Sequence, residues 1–471
     1  MKKKAFIFAI AAIVAFGSCD KDNGPEKSHD KLPPLPDETD ICSGIEDEIF
    51  RNFCLDRFDI DKDRKISPEE AALVTEINFD IETDEDVESF NGIGYFVNLE
   101  SLICPEAYVN SIDLHYNTKI TEIADSAFED CCMESFVFPP NVKVIGEDAF
   151  AYCTGLTEIN LPEGLETIKT TAFFNCGFTE VKIPDSVTTI GDGAFSDCSD
   201  LKSFDGKFAS EDKRCLIQDG RLLTFAPAEL TEYTIPEGVT AIGGWAFVDA
   251  MDLTKVTFPD GLESIGPDAF SHCGLTTLEL PETLKTIGDN SFIDNRYVLT
   301  IKIPDSVTTF GQGVFINCRR LETITIGKGI TKIPYETFYG CSKLSKVNFA
   351  SDNDITSIEA EAFYQCHALA DITLPVTVTK IEADAFKECF NLKELTIGGA
   401  IKSIGTHAFD TCTALEKITV SAPTPPMIGD DIFYNTRSAL KIYVPMTSVT
   451  LYKEAIGWSN YAEQINGIYD F

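Results

Sequence analysis

One short stretch has residue types and spacing suited to holding a metal ion. Residues 59 to 70 read Asp-Ile-Asp-Lys-Asp-Arg-Lys-Ile-Ser-Pro-Glu-Glu. Carboxylates at places one, three and five, a backbone carbonyl at seven and a carboxylate at twelve form the ligand pattern of a calcium loop. Calcium takes six or more hard oxygens, and alternating aspartates on a tight turn aim several at one point. Asp59, Asp61 and Asp63 are the expected direct ligands. Lys65 would give its carbonyl, Ser67 sits at the ninth place, and Glu70 would be bidentate. Two features compete with this. The sixth place is Arg64, where the turn normally takes a left-handed glycine, so a steric cost arises. Ser67-Pro68-Glu69-Glu70 is also a good helix start without metal: serine as N-cap, proline next, glutamate at the third place. That cap accounts for Ser67 and Glu70 but not for three alternating aspartates. The expectation is Ca2+ in a structural role, because a sensor needs a paired loop and the sequence shows no second one.

Other chemistry is sparse. His29, His115, His272, His367 and His407 are scattered, and no His-Glu-x-x-His, Gly-x-Ser-x-Gly or phosphate loop occurs. An enzyme is not expected. Cys19 has a different claim. It follows Met1-Lys-Lys-Lys4, an apolar run from Ala5 to Phe16, and Gly17-Ser18. A basic head, a short apolar segment and small residues before a cut site make an export signal. The run is too short to span a bilayer comfortably. Cysteine at the cut resembles a bacterial lipobox, which implies that cleavage leaves Cys19 first and acylated. Residues 1–18 are then the signal, and 19–43 a lipidated cysteine with a polar, proline-rich tether.

The calcium loop needs elements to position it. Ile45, Ile49, Phe50, Phe53 and Phe58 recur at helical spacing, so a helix is predicted over 44–58, with a second over Ala71–Ile77. Residues 44–85 thus form a small helical module, EF-hand-like in pattern. Beyond it, Ile183-Pro-Asp-Ser-Val-Thr-Thr-Ile-Gly-Asp-Gly-Ala-Phe-Ser-Asp-Cys198 is rewritten along the chain. A phenylalanine closes each of thirteen copies, from Phe128 to Phe433, spaced 22 to 25 residues apart except between Phe195 and Phe247. That period belongs to a leucine-rich-repeat solenoid, mainly β with short turns and helices, over 86–440. Pairs such as Val181/Ile183, Ile324/Ile326 and Val347/Phe349 point inward. The residues between them, among them Lys182, Thr257, Glu279, Thr325 and Thr396, form a polar, threonine-rich outward ribbon.

Ten copies carry cysteine three places after the phenylalanine, from Cys131 to Cys412. Equivalent positions in stacked coils lie about 4.8 Å apart, beyond the roughly 3.8 Å between β-carbons that a disulfide prefers. The column reads as small buried thiols. The copy at about 199–232 is enlarged around Asp219-Gly220, a hairpin signal, and serves either as a binding lobe or as a plain loop extension. Residues 441–471 form a C-terminal cap with a closing helix over Val449–Trp458. Trp458 and Tyr461 pack the end or offer a carbohydrate platform. The formal charge of −38 argues against nucleic acid and anionic membrane surfaces as partners.

The Ile-Pro-Asp-Ser-Val-Thr-x-Ile-Gly-x-x-Ala-Phe-x-x-Cys unit resembles the BspA-like leucine-rich repeats of bacterial surface proteins. With the lipobox, the calcium-type loop and the ending Ile442-Tyr-Val-Pro445, the chain is similar to surface lipoproteins of Bacteroidota. The resemblance implies an outer-membrane lipoprotein exposed at the cell surface, held to the membrane by its lipid alone. It implies protein partners, either host matrix proteins or other bacterial surface proteins, and a role in adhesion. Capture of glycans or peptides for nutrient uptake is the alternative.

Overall fold

The structure, a computed structural model, describes residues 31–79 and 87–468. The chain divides into two units, residues 1–34 and residues 35–471. Within the first, residues 31–34 are described and form neither helix nor strand. The export signal and Cys19 lie outside the described residues.

The second unit is a β-solenoid of about 17 turns. The coil from Glu180 to Cys198 shows how the repeated residues make it. Glu180–Ile183 is extended, with Val181 and Ile183 inward, and Pro184 ends the strand. Thr189–Ile190 returns as a second, shorter strand. Turns then carry Ala194 and Phe195 into the core. Most strands pair in parallel with their equivalents in the next coil, Thr323–Ile326 with Lys346–Phe349 and Lys380–Ile381 with Ser403–Ile404, for example, in a series of short sheets. Two residues around each phenylalanine hold left-handed backbone, as Asp148 and Tyr152 do around Phe150 (φ 53° and 63°). Asp and Asn tolerate this region, whereas Tyr152 or Glu388 adopts it at a cost that the packed coil must offset.

The phenylalanines stack in two runs, one ending at Phe195 and the other reaching Phe433. Ring centroids lie 5.1 Å apart for Phe150–Phe173, 5.0 Å for Phe363–Phe386 and 5.7 Å for Phe409–Phe433, nearly parallel. The cysteine column has a more specific duty than filling space. Cys341 Sγ donates to the Phe315 carbonyl at 3.1 Å, Cys389 to Phe363 at 3.2 Å and Cys412 to Phe386 at 3.1 Å, each reaching back one coil. Where the column holds Asn295, its side-chain N–H donates to the Phe270 carbonyl at 2.7 Å. Cysteine and asparagine both supply a donor there, although Ala250, at the same place after Phe247, fills it without one. None of the ten thiols is disulfide-bonded. Burial raises the pKa of nine of them, to about 12 at Cys198 and Cys412, which keeps these protonated donors; at Cys131 the hydrogen bond with Cys104 lowers it instead.

The enlarged copy is not a plain loop extension. Cys215–Gln218 and Arg221–Phe225 form an antiparallel hairpin in an otherwise parallel fold. Its two faces bury different residues. Leu216, Leu223 and Ala226 belong to a core running back to Ile41, while Cys215, Leu222 and Phe225 belong to one running on to Ile465. Phe225 begins the second phenylalanine stack, 4.6 Å from Phe247.

Several expectations are corrected at the two ends. The tether stops short of residue 43: Ile41 and Cys42 are buried and start a short 3-10 turn, because those apolar side chains have a core to enter. The first helix is Glu48–Phe58, capped by Asp47, whose side chain accepts the Phe50 N–H at 2.8 Å. The second helix is one turn, Pro68–Ala71. Glu76–Asn78 is instead a strand paired with Ser101–Ile103, because Ile77 has the coil core beside it, so the ladder begins ahead of residue 86. The helix packs Phe50 on Phe90, Phe53 on Phe79 and Phe58 on Phe96, closing the first coils. At the far end the α-helix is confined to Val449–Glu454, and Ile465–Ile468, unforeseen in the sequence, adds a parallel strand beside Lys441–Pro445. Val347 and Phe349 are half-buried, not fully inward.

Cys341→Ala removes one donor and a little volume, so a loss of about 1–2 kcal/mol is expected from the denaturation midpoint. Asn295→Cys should be neutral or stabilising, since it also removes the buried, unpartnered Asn295 Oδ1. Unchanged stability in Cys341→Ala would contradict the donor role.

Candidate functional site

Three places on the second unit have geometry suited to a ligand. The first is the acidic loop. Asp59, Asp61 and Asp63 bring one carboxylate oxygen each within 4.8 Å of the others. Hydrogen bonds already set the turn: Asp59 accepts the Lys62 N–H at 2.7 Å and the Arg64 N–H at 2.9 Å, and Asp63 accepts the Lys65 N–H at 2.8 Å. Arg64 takes the left-handed conformation that the sixth place demands, with φ 67°. Ser67 and Glu70 form the capping box. The Glu70 N–H donates to Ser67 Oγ at 3.2 Å, and Glu70 Oε2 accepts the Ser67 N–H at 2.9 Å. The other oxygen of Glu70 accepts the Ile60 N–H at 2.8 Å, which folds this side chain over the aspartate turn. Those hydrogen bonds hold its carboxyl below the ordinary range, Ser67 contributing most.

The loop's outer edge is taken by the chain itself. The Ile41 N–H donates to the Ile66 carbonyl at 2.9 Å, Asp40 accepts the Ile66 N–H at 3.1 Å, and Lys65 pairs with Asp37 at 3.0 Å. This edge is therefore filled by residues 37–41, not by a second loop. The donor set of hard oxygens suits Ca2+: three aspartates in hand, the Lys65 carbonyl at the seventh place, and Glu70 alongside.

The second place is the outward ribbon. Lys182, Thr257, Glu279 and Thr373 are exposed, while Thr325, Thr396 and Thr419 are half-buried between neighbouring coils. Inward neighbours such as Ile324 and Ile326 are fully buried. Coil-to-coil ion pairs flank the ribbon, Glu394 with Lys417 at 3.2 Å for one.

The third is a groove at the seam between the two cores, with a volume of about 660 Å³. Thr179, Lys202, Pro227, Leu230 and Met251 line it together with Asp197 and Asp249. Asp197 is pushed up to about 7, by burial and then by the charge of Asp249. Burial also raises Asp249, and His272 opposes that shift. The enlarged copy that the sequence offers as a possible binding lobe supplies Lys202, Pro227 and Leu230; the sequence alone does not show that Thr179 and Asp197 before it and Asp249 and Met251 after it complete the groove.

Trp458 is excluded as a carbohydrate platform. Its ring is fully buried against Tyr452 (5.1 Å, 73°), and its indole N–H donates to the Pro426 carbonyl at 2.8 Å. Tyr461 stands edge-on to Phe433 at 5.1 Å and closes the stack.

Comparison with known proteins matches these features to a repeat family. A BspA type leucine rich repeat region, in six copies, matches residues 121–210, 223–345 and 331–462. A leucine-rich repeat protein from Bacteroides ovatus is 26% identical in its solved structure, covering 79% of this chain and 98% of its own, with a TM-score of 0.52. One from Eubacterium ventriosum is 22% identical, covering 81% and 86%, with a TM-score of 0.42. The pneumococcal vaccine antigen PcpA is 19% identical, covering 79% and 83%, with a TM-score of 0.47. A search among curated proteins finds no match.

Proposed function

The chain belongs to the BspA-type leucine-rich-repeat family, and on that premise we propose that it is an exported, lipid-anchored scaffold that binds proteins along its outward ribbon. The observation that carries this reading is the division of labour within each strand. Ile324 and Ile326 are wholly committed to the core, whereas Thr325 between them has no core duty. Repeated over many coils, this leaves a long row of hydroxyl, amide and charged groups on a rigid ladder. Rigid presentation lowers the entropy lost on binding. Leucine-rich-repeat solenoids are typically binding scaffolds and not enzymes, which agrees with the scattered histidines. Acylation at Cys19 would anchor the scaffold in the outer membrane; on the outward side, which the family resemblance implies, host matrix proteins or other bacterial surface proteins are the partners this reading names. The test is an array of matrix proteins and neutral oligosaccharides probed with the full chain. Binding to matrix proteins is expected, and binding to the oligosaccharides alone would refute the reading. For the anchor, Cys19→Ala is expected to release the protein from cells into the medium; full retention would argue against acylation.

We also propose that Ca2+ fills the Asp59–Glu70 loop and braces the opening coils. The support is the gathered aspartate oxygens together with the left-handed Arg64. Through Lys65–Asp37 and Ile66–Ile41, ordering the loop would order the segment that packs on it. Calorimetric titration should detect one calcium per chain, and Asp59→Ala plus Asp61→Ala should abolish it. Undiminished binding in that double variant would remove the claim.

A further inference from the structure

A row of turn tips departs locally from the chain's overall negative charge. After most of the column cysteines, and after their Asn295 counterpart, the chain makes a two-residue turn. In three successive coils these tips are Arg296-Tyr297, Arg319-Arg320 and Ser342-Lys343. The strands beside them pair Thr300 with Thr323 and Thr323 with Lys346, which sets Arg320 and Lys343 at equivalent places in adjacent coils. Coil spacing puts such neighbours about 4.8 Å apart at the backbone.

Elsewhere on the molecule an exposed lysine commonly faces a carboxylate across the coil boundary, as with Lys285 and Glu263 at 2.8 Å or Lys417 and Glu394 at 3.2 Å. On this ridge the arrangement differs. Arg296 pairs within its own coil with Asp294 at 2.9 Å. Among the described residues, Arg319, Arg320 and Lys343 make no ion pair. All three are exposed, in a chain whose formal charge is −38. Like charges on adjacent strands repel, and an anion laid along the ridge would relieve that repulsion.

We propose that this ridge binds a linear anionic polysaccharide, sulfated or carboxylated, running along the solenoid axis. Guanidinium groups match sulfate and carboxylate oxygens two at a time. The cations stand on consecutive tips in a line, not around a pocket, which suits a polymer over a single ion. Tyr297, 52% exposed, adds an aromatic face at one end. An acidic protein segment would have to lay its carboxylates along the same line of tips, and binding to poly-glutamate distinguishes it from a polysaccharide. This surface is separate from the strand ribbon, so it stands or falls without the protein-binding reading.

The test uses the full chain on immobilised heparin, chondroitin sulfate and poly-glutamate. Binding to heparin, weakening steeply with salt, is expected. Arg319→Ser plus Arg320→Ser should weaken it about tenfold or more, with an unchanged melting temperature. Lys182→Ser, which removes an exposed cation from the ribbon, should leave it intact. The proposal is overturned if the full chain fails to bind heparin at low salt, or if the arginine pair proves dispensable. Equal binding to poly-glutamate overturns the assignment to a polysaccharide.

Discussion

No coil of this molecule can satisfy its own backbone. The Phe363 N–H donates forward to the Ala385 carbonyl at 2.8 Å, and the Phe363 carbonyl receives Cys389 Sγ from the coil that follows. The phenylalanine ring is covered by the rings above and below. Hydrogen bonds and apolar burial thus run along one axis, each coil depending on its neighbours, as nearest-neighbour stability in repeat proteins requires. Residues that look conspicuous by repetition are the ones with least freedom to act on anything else.

Such dependence makes any interruption consequential. Between Phe204 and Tyr233, one of several breaks in the longer-strand ladder, side chains take over part of the joining. Gln218 uses its amide as a peptide group would, donating to the Thr188 carbonyl at 2.9 Å and accepting the Ile190 N–H at 3.3 Å. Arg221 grips Asp192, which also accepts the Gly244 N–H at 3.0 Å. Ser196 and Thr224 share a buried hydroxyl bond at 3.0 Å. The Cys215–Phe225 hairpin lies between two cores as a common wall. Two stacked arrays meet at a splice that is partly polar and supplied by single side chains.

Much of this was legible in the residues. The spacing of the phenylalanines gives the solenoid, and Asp219-Gly220 gives the hairpin. The aspartate turn appears where its pattern places it. What escaped has physical reasons. A hairpin buried on both faces has no periodic signature that distinguishes it from an ordinary insertion. The donor role of the cysteines depends on reaching a carbonyl 25 or so residues earlier, and only the Asn295 exchange exposes it. Ala71–Ile77 carries helical spacing, yet Ile77 finds more burial in a strand beside Leu102 than in a second turn of helix. The cationic ridge is invisible in the sequence, because its members are separated by a full coil.

Function on this account belongs to what the core does not use: the ribbon, the acidic loop and the turn tips. They are presented by two arrays whose central junction is the hairpin wall. Native-state hydrogen exchange under rising denaturant tests that architecture most directly. Amides on the two sides of the hairpin should fall into two opening classes of different free energy, with the boundary between Phe204 and Cys215. A single class spanning that boundary, with all coils opening together, would contradict the division into two cores.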